Sequence, residues 1–304
     1  MRTTLCVVKL IQHTERRGVR QDQTRYPLPS GGLIHALGAG DGPAILFMHG
    51  IGGAAWSWLP QGLALAERCR CYLWEARGHG AASPAPDVTL GDYYQDGLEA
   101  LNFIRERGEP PIVAAHSMGG LIAMALGADR PAAMRGLFLL EPVYAPYGPP
   151  PSMTRLGHTR RSALRSLLLA VPREGLLSLA LSRAVFHSAF TDRAAEARAW
   201  EEQRRQPIVE FPAMFLEGME GRFEQRAFAR ELRVPALLLE GSIARRRPRF
   251  PGLVADLRAA LGNRFRYEVA EGGHYLQLDR PEVVTGLLGA FIASLSTAAQ
   301  GMPA

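Results

Sequence analysis

The run Pro111-Ile112-Val113-Ala114-Ala115-His116-Ser117-Met118-Gly119-Gly120 constrains this chain more than any other stretch. Its apolar residues behind a proline read as a short buried strand, and helical sequence begins directly after the serine. A serine caught between a strand and a helix sits on a tight, strained turn, so the residues two positions away must be small. Ala115 on one side and Gly119 on the other meet that demand. An ordinary helix N-cap serine would need only the helix. Strand, small flanks and helix together describe a nucleophile elbow, which lifts a hydroxyl above the edge of a sheet.

The surrounding pattern supplies such a sheet. Strands are predicted at Ala44–Met48, Cys69–Trp74, Ile112–Ala115 and Gly136–Leu140, with helices at Ala55–Glu67, Leu90–Arg107 and Met118–Asp129. Alternation of buried strands with helices implies a mostly parallel sheet covered on both faces, an α/β fold. The rhythm breaks at the proline-rich stretch Pro142–Pro151 and resumes with a strand near Ala236–Leu239. A helix over Gly252–Leu261, a strand over Phe265–Val269 and a last helix over Pro281–Leu295 follow. The expected organisation is an N-terminal extension (residues 1–30), a core formed by residues 31–145 and 232–304, and a helical insertion at 146–231.

Composition narrows the function. The 304 residues are 47% hydrophobic and 21% charged, as in ordinary globular proteins. The net charge of +6 comes from arginines scattered along the chain, with Lys9 the one lysine, so no nucleic-acid face is expected. Cys6, Cys69 and Cys71 form neither a disulfide framework nor a metal-ligand spacing. No cofactor or metal is implied. No apolar run reaches the roughly 18 residues of a membrane span, and Leu5–Ile11 is too short for a signal peptide. The expectation is a cytoplasmic enzyme acting on a small molecule, its oligomeric state open.

A serine hydroxyl needs a base to become a nucleophile. Of the eight histidines, His274 in Glu271-Gly272-Gly273-His274-Tyr275 is best placed, on a glycine-rich loop between the last strand and the last helix. His79 and His116 are weaker candidates, and His116 is expected to be structural. A developing oxyanion needs backbone donors. The Met118 N–H is one, and Ile51 within His49-Gly50-Ile51-Gly52-Gly53 is the second.

With these pieces in order, the chain resembles the α/β-hydrolase superfamily, in its branch of lid-bearing esterases and lactonases. The matching stretches are His49–Gly53, Arg77-Gly78-His79-Gly80 with Ser83, Ala115–Gly120, and Gly273-His274 through Asp279-Arg280-Pro281-Glu282. The resemblance implies that the insertion is a lid. The family usually has glycine where Ala115 stands, and usually places its acid as Gly-x-x-Asp after the strand corresponding to Ala236–Leu239. Here that segment reads Gly241-Ser242-Ile243-Ala244, so Ala244 occupies the acid's place. Some members, haloalkane dehalogenases among them, carry the acid one strand earlier. That position is Glu141, 24 residues after Ser117. Glu240 is the alternative, and a third reading leaves His274 without an acid.

In the insertion, Phe186, Phe190, Trp200 and Phe215 are candidates to line an apolar pocket, whereas Trp56 and Trp58 are expected in the core. The cluster Arg245–Arg249 is expected to be a solvated loop. The reading is a serine hydrolase of a small carboxylic ester, thioester or lactone, with Ser117, His274 and Glu141 as triad. Carbon–carbon bond hydrolysis or perhydrolysis on the same triad, and a noncatalytic ligand-binding protein, are the alternatives.

Overall fold

The computed structural model describes residues 24–38, 40–85, 88–143, 183, 186–204, 225–242 and 252–300. Eight strands form one sheet: β1 (Thr24–Pro27), β2 (Leu33–Leu37), β3 (Ala44–Met48), β4 (Arg70–Glu75), β5 (Ile112–His116), β6 (Gly136–Leu140), β7 (Ala236–Gly241) and β8 (Phe265–Ala270). Their order is β1-β2-β4-β3-β5-β6-β7-β8. The β1–β2 and β2–β4 pairs are antiparallel, and every other pair is parallel. Residues 24–27 of the expected N-terminal extension are thus the edge strand of the sheet.

The central strands read as apolar runs because both of their faces are covered. β3, β5 and β6 are buried at every residue. Alternate side chains go to opposite sides. Leu46, Met48, Val113, Ala115, Leu137, Leu139 and Leu238 pack with the helices Leu90–Arg105, Met118–Asp129 and Leu253–Leu261. Ile45, Phe47, Ile112, Ala114, Phe138, Leu140 and Leu239 pack with the helices Leu59–Leu65 and Pro281–Gln300. The Leu90–Arg105 helix starts at a capping box of Thr89 and Asp92 and buries Leu90, Tyr93, Gly97, Leu101 and Ile104, one stripe at helical spacing. The Met118–Asp129 helix has no such stripe: its first ten residues are all buried.

The single helix expected over Ala55–Glu67 divides into a 3-10 turn, Ala55–Trp58, and an α-helix, Leu59–Leu65, with Pro60 at its first turn. Proline suits that position because no intrahelical partner awaits its missing N–H. Most of the insertion lies outside the described residues. The described parts include the helices Arg193–Gln203 and Gln225–Glu231. Phe186, Phe190, Ala195 and Ala199 join Ala54, Trp56 and Tyr275 of the core in a third apolar cluster. Among the described residues, no helix is long and apolar enough to cross a membrane.

Candidate active site

Ser117 stands where β5 meets the Met118–Asp129 helix, with φ 52° and ψ −116°, a backbone conformation costly for a residue bearing a Cβ. The ladder holds it there. Its N–H donates to the Leu140 carbonyl at 3.1 Å, and its own carbonyl accepts from Val143 at 3.0 Å. Gly119 lies so close to β3 that a Cβ would come within 2.6 Å of the His49 carbonyl oxygen. The helix can begin on the strand end only because that side chain is absent.

His274 comes from the loop after β8. Its Nε2 lies 3.0 Å from Ser117 Oγ, and its Nδ1 lies 3.4 Å from Glu141 Oε2. Glu141 ends β6, fully buried, with φ +44°. Its backbone N–H donates to the Leu239 carbonyl, and its Oε1 accepts the Gly241 N–H at 2.6 Å. The amide closing β7 therefore fixes one carboxylate oxygen while the other faces the imidazole. This arrangement sets the tautomer: Nδ1–H directed at the carboxylate leaves Nε2 as the acceptor for the serine hydroxyl. Glu240 is occupied elsewhere, its Oε2 accepting the Tyr267 hydroxyl at 2.6 Å. Ala244 and the Arg245–Arg249 cluster lie outside the described residues.

The loop after β3 packs on the elbow. A Cβ on Gly50 would sit 2.9 Å from both Ser117 Cβ and His116 Nδ1, so the loop reaches this position only as glycine. Among the described residues, no backbone carbonyl accepts from the N–H of Ile51 or Met118. Two buried histidines shape this loop. His49 donates from Nδ1 to the Gly50 carbonyl at 2.7 Å and accepts the Ala76 N–H on Nε2 at 3.1 Å. His79 accepts the Gly52 N–H on Nε2 at 3.1 Å. Burial, aided by neighbouring His79, drives the His49 pKa down to about 3, so the ring stays neutral and keeps this donor–acceptor pattern. Beneath it lies Glu75, whose carboxylate accepts from Ala55 and Ala81 and pairs with His35 at 3.0 Å. Burial works against its charge, but His35 and the two amides prevail and hold its pKa below the ordinary value.

The Nε2–H of His116 donates to the His274 carbonyl at 2.8 Å, a contact that supports the loop. Tyr275, next to His274, is enclosed by aromatic rings. Phe190 stacks on it at 4.9 Å and 8°, Phe186 lies at 5.2 Å and Trp56 at 6.4 Å. Phe186 also meets Trp200 at 5.6 Å. Phe186 and Phe190 thus pack on Tyr275, and Trp200 joins them through Phe186. Phe186 and Phe190 are buried, Trp200 is half-buried, and Phe215 lies outside the described residues. Trp58 is core, while Trp56 belongs with this aromatic group.

The roles of His49, Glu75 and Asp279 are not legible in the sequence. The first two accept the backbone amides of Ala76, Ala55 and Ala81, contacts that the residues of the motifs do not spell out. Asp279, 4% exposed, accepts the Gly273 N–H at 2.8 Å.

Comparison with known proteins identifies the fold and family. The chain is 28% identical over 118 residues to (E)-2-((N-methylformamido)methylene)succinate hydrolase of Acinetobacter baylyi, covering 38% of this chain and 44% of that protein. Alignments with the curated relatives span less than half of those relatives' lengths. A thermophilic esterase from Thermogutta terrifontis superposes with a TM-score of 0.67 at 17% identity, over 90% of this chain and 99% of that one. The enol-lactonase of Burkholderia xenovorans LB400 gives 0.68 at 21% identity, over 89% and 100%. These likenesses concern the fold. The model of the alpha/beta hydrolase family matches residues 45–287, most of the chain and all the elements that carry Ser117, Glu141 and His274, and the protein belongs to that family.

Proposed function

We propose that this hydrolase cleaves a small carboxylic ester, thioester or lactone by covalent catalysis at Ser117. The observation that carries the reading is the line Ser117 Oγ–His274 Nε2 (3.0 Å) and His274 Nδ1–Glu141 Oε2 (3.4 Å), set on a strained elbow. His274 takes the Ser117 proton as Oγ attacks the substrate carbonyl, and Glu141 stabilises the imidazolium that forms. The Ile51 and Met118 N–H groups donate to the oxyanion of the tetrahedral intermediate. His274 then returns its proton to the leaving oxygen or sulfur, which departs and leaves an ester on Ser117. Water, deprotonated by the same imidazole, attacks that ester, and the acid is released as Ser117 recovers its proton.

Residues 146–231 are assigned to a lid over this site. Within it the half-buried Trp200 is the described candidate for the apolar side of the binding surface, with the buried Phe186 and Phe190 packed behind it; Phe215 lies outside the described residues. The test is labelling with a fluorophosphonate, which phosphonylates an activated serine, followed by turnover of a panel of p-nitrophenyl esters, a thioester and a lactone. Rapid labelling lost in Ser117→Ala, with turnover of at least one of the three classes, is expected. A wild-type protein that does not label overturns the reading.

A further inference from the structure

We propose that Asp279 is a positioning residue that couples the seat of His274 to the segment starting the Arg193–Gln203 helix; the inference rests on the assignment of His274 as base. The carboxylate is buried and ends the one-turn helix Leu276–Asp279 directly after the His274 loop. Its Oδ2 accepts the Gly273 N–H at 2.8 Å, from the residue that precedes His274. The same oxygen accepts the Thr191 N–H at 3.0 Å and the Thr191 hydroxyl at 2.9 Å. Oδ1 accepts the Asp192 N–H at 3.2 Å. Asp192 in turn caps the Arg193–Gln203 helix through the Ala194 and Ala195 amides.

Four donors from two parts of the chain thus converge on one buried carboxylate. Among the described residues, no arginine or lysine forms an ion pair with it, so these four donors are what offsets its burial. Such a site is geometrically demanding. The Gly273 N–H and both Thr191 donors share one oxygen, so a shift of the carboxylate that follows loss of contacts on one side also moves the acceptor of the donors on the other. The two parts also touch directly: the Tyr275 N–H donates to the Ala189 carbonyl at 3.3 Å, and the Tyr275 ring stacks on Phe190. Among the described residues, Asp279 is the one side chain bonded both to the amide before His274 and to the start of the helix, and it ties their placements together. The seat of the base then depends on the placement of Thr191 and Asp192.

The experiment measures fluorophosphonate labelling of Ser117 in the full chain, resolving kinact from KI, for wild type, Asp279→Asn, Thr191→Val and Thr191→Ser. An asparagine offers one acceptor oxygen and turns an NH2 toward the remaining donors. Asp279→Asn is expected to lower kinact by about 10- to 100-fold, the scale on which small misplacements act. Thr191→Val removes one hydroxyl on the insertion side and leaves the His274 loop's own bonds intact. A several-fold lower kinact at unchanged KI, recovered by Thr191→Ser, is the result that supports coupling. If Asp279→Asn does not fold, the threonine pair decides. Wild-type kinact in both Asp279→Asn and Thr191→Val, or in Thr191→Val alone, overturns the coupling while leaving the serine hydrolase reading intact. Absence of labelling in wild type overturns both.

Discussion

Replacing Glu141 by glutamine tests the acid with almost no change of shape. In the wild type, Oε1 accepts the Gly241 N–H at 2.6 Å and Oε2 faces His274 Nδ1 at 3.4 Å. The Gly241 amide is a fixed donor, so it orients the glutamine oxygen toward itself and leaves the NH2 toward the imidazole. Nδ1 must then become the acceptor, and the ring's proton moves to Nε2, where it points at Ser117 Oγ. Two donors now meet, the hydroxyl has no base, and a developing imidazolium has no counter-charge. The loss of tautomer control in such a triad costs on the order of 10⁴ in rate, about 5 kcal/mol of barrier. The fold is retained because the Gly241 bond survives. The assay is fluorophosphonate labelling and p-nitrophenyl ester turnover, with near-ultraviolet circular dichroism to verify packing. Glu240→Gln is expected to behave like wild type, because Glu240 Oε2 accepts from the Tyr267 hydroxyl whereas Glu141 Oε2 faces His274. A folded Glu141→Gln protein that labels at the wild-type rate would refute the argument. Loss of labelling in Glu240→Gln alone would move the acid to β7.

Other perturbations bear on the elbow, the loop and the buried histidines. Gly50→Ala puts a methyl 2.9 Å from Ser117 Cβ and is expected to cut turnover by about 10²-fold, measured as kcat/KM, with thermal stability falling too. Wild-type turnover would mean that the loop gives way without disturbing the serine. Ser117→Gly abolishes labelling but relieves a strained backbone (φ 52°), so it should unfold about 1 kcal/mol later than Ser117→Ala, a few degrees in Tm. Equal melting temperatures would argue against stored strain. Acidification acts on His49, whose pKa is 6.5 unfolded and about 3 folded. Between these values the unfolded chain binds the extra proton, so this contribution to stability is complete above pH 6.5. It is lost as pH falls, by up to about 1.4 kcal/mol per unit. Urea midpoints from pH 7 to pH 5 should show this slope, and His49→Asn should flatten it; an unchanged slope in the variant counts against the assignment.

What could be read from the sequence divides by the range of the interaction that fixes it. Met118–Asp129 and Gly136–Leu140 fall where their apolar runs and the proline at 131 place them; burial on all sides erases their period, so run length and the flanking breaker tell helix from strand. Ala55–Glu67 has helical spacing, yet its first turn is 3-10: Trp58 donates its indole N–H to the Met48 carbonyl, a contact that no local pattern encodes. Trp56 looks like a core residue and is buried, but the cluster it joins includes Phe186, 130 positions away. The Ser117 and His274 positions are local signals, a turn and a glycine-rich loop. That Glu141 stands within reach of His274 depends on β6 lying between β5 and β7, which the alternation of elements suggests only in outline. The Gly241 amide that orients it is invisible until β7 is placed beside β6. Asp279 illustrates the limit best. Its Thr191 partner is 88 residues away, and three of its four bonds are to backbone amides, which carry no sequence signature.

The acid on β6 has a consequence for when reactivity appears during folding. In the proposed triad, Ser117 and Glu141 terminate adjacent strands joined by one crossover helix, and the Ser117 amide is bonded to Leu140. Nucleophile and acid are therefore assembled by one short-range βαβ unit. His274 must be recruited across 157 residues of chain, and long loop closures are slow to form. A refolding molecule can complete its central strands with a chemically silent serine. On the proposed triad, reactivity of Ser117 then marks the arrival of the C-terminal loop and helix. Quenching refolding at intervals with a fluorophosphonate should trace a signal that lags behind sheet formation, timing the last long-range closure by chemistry.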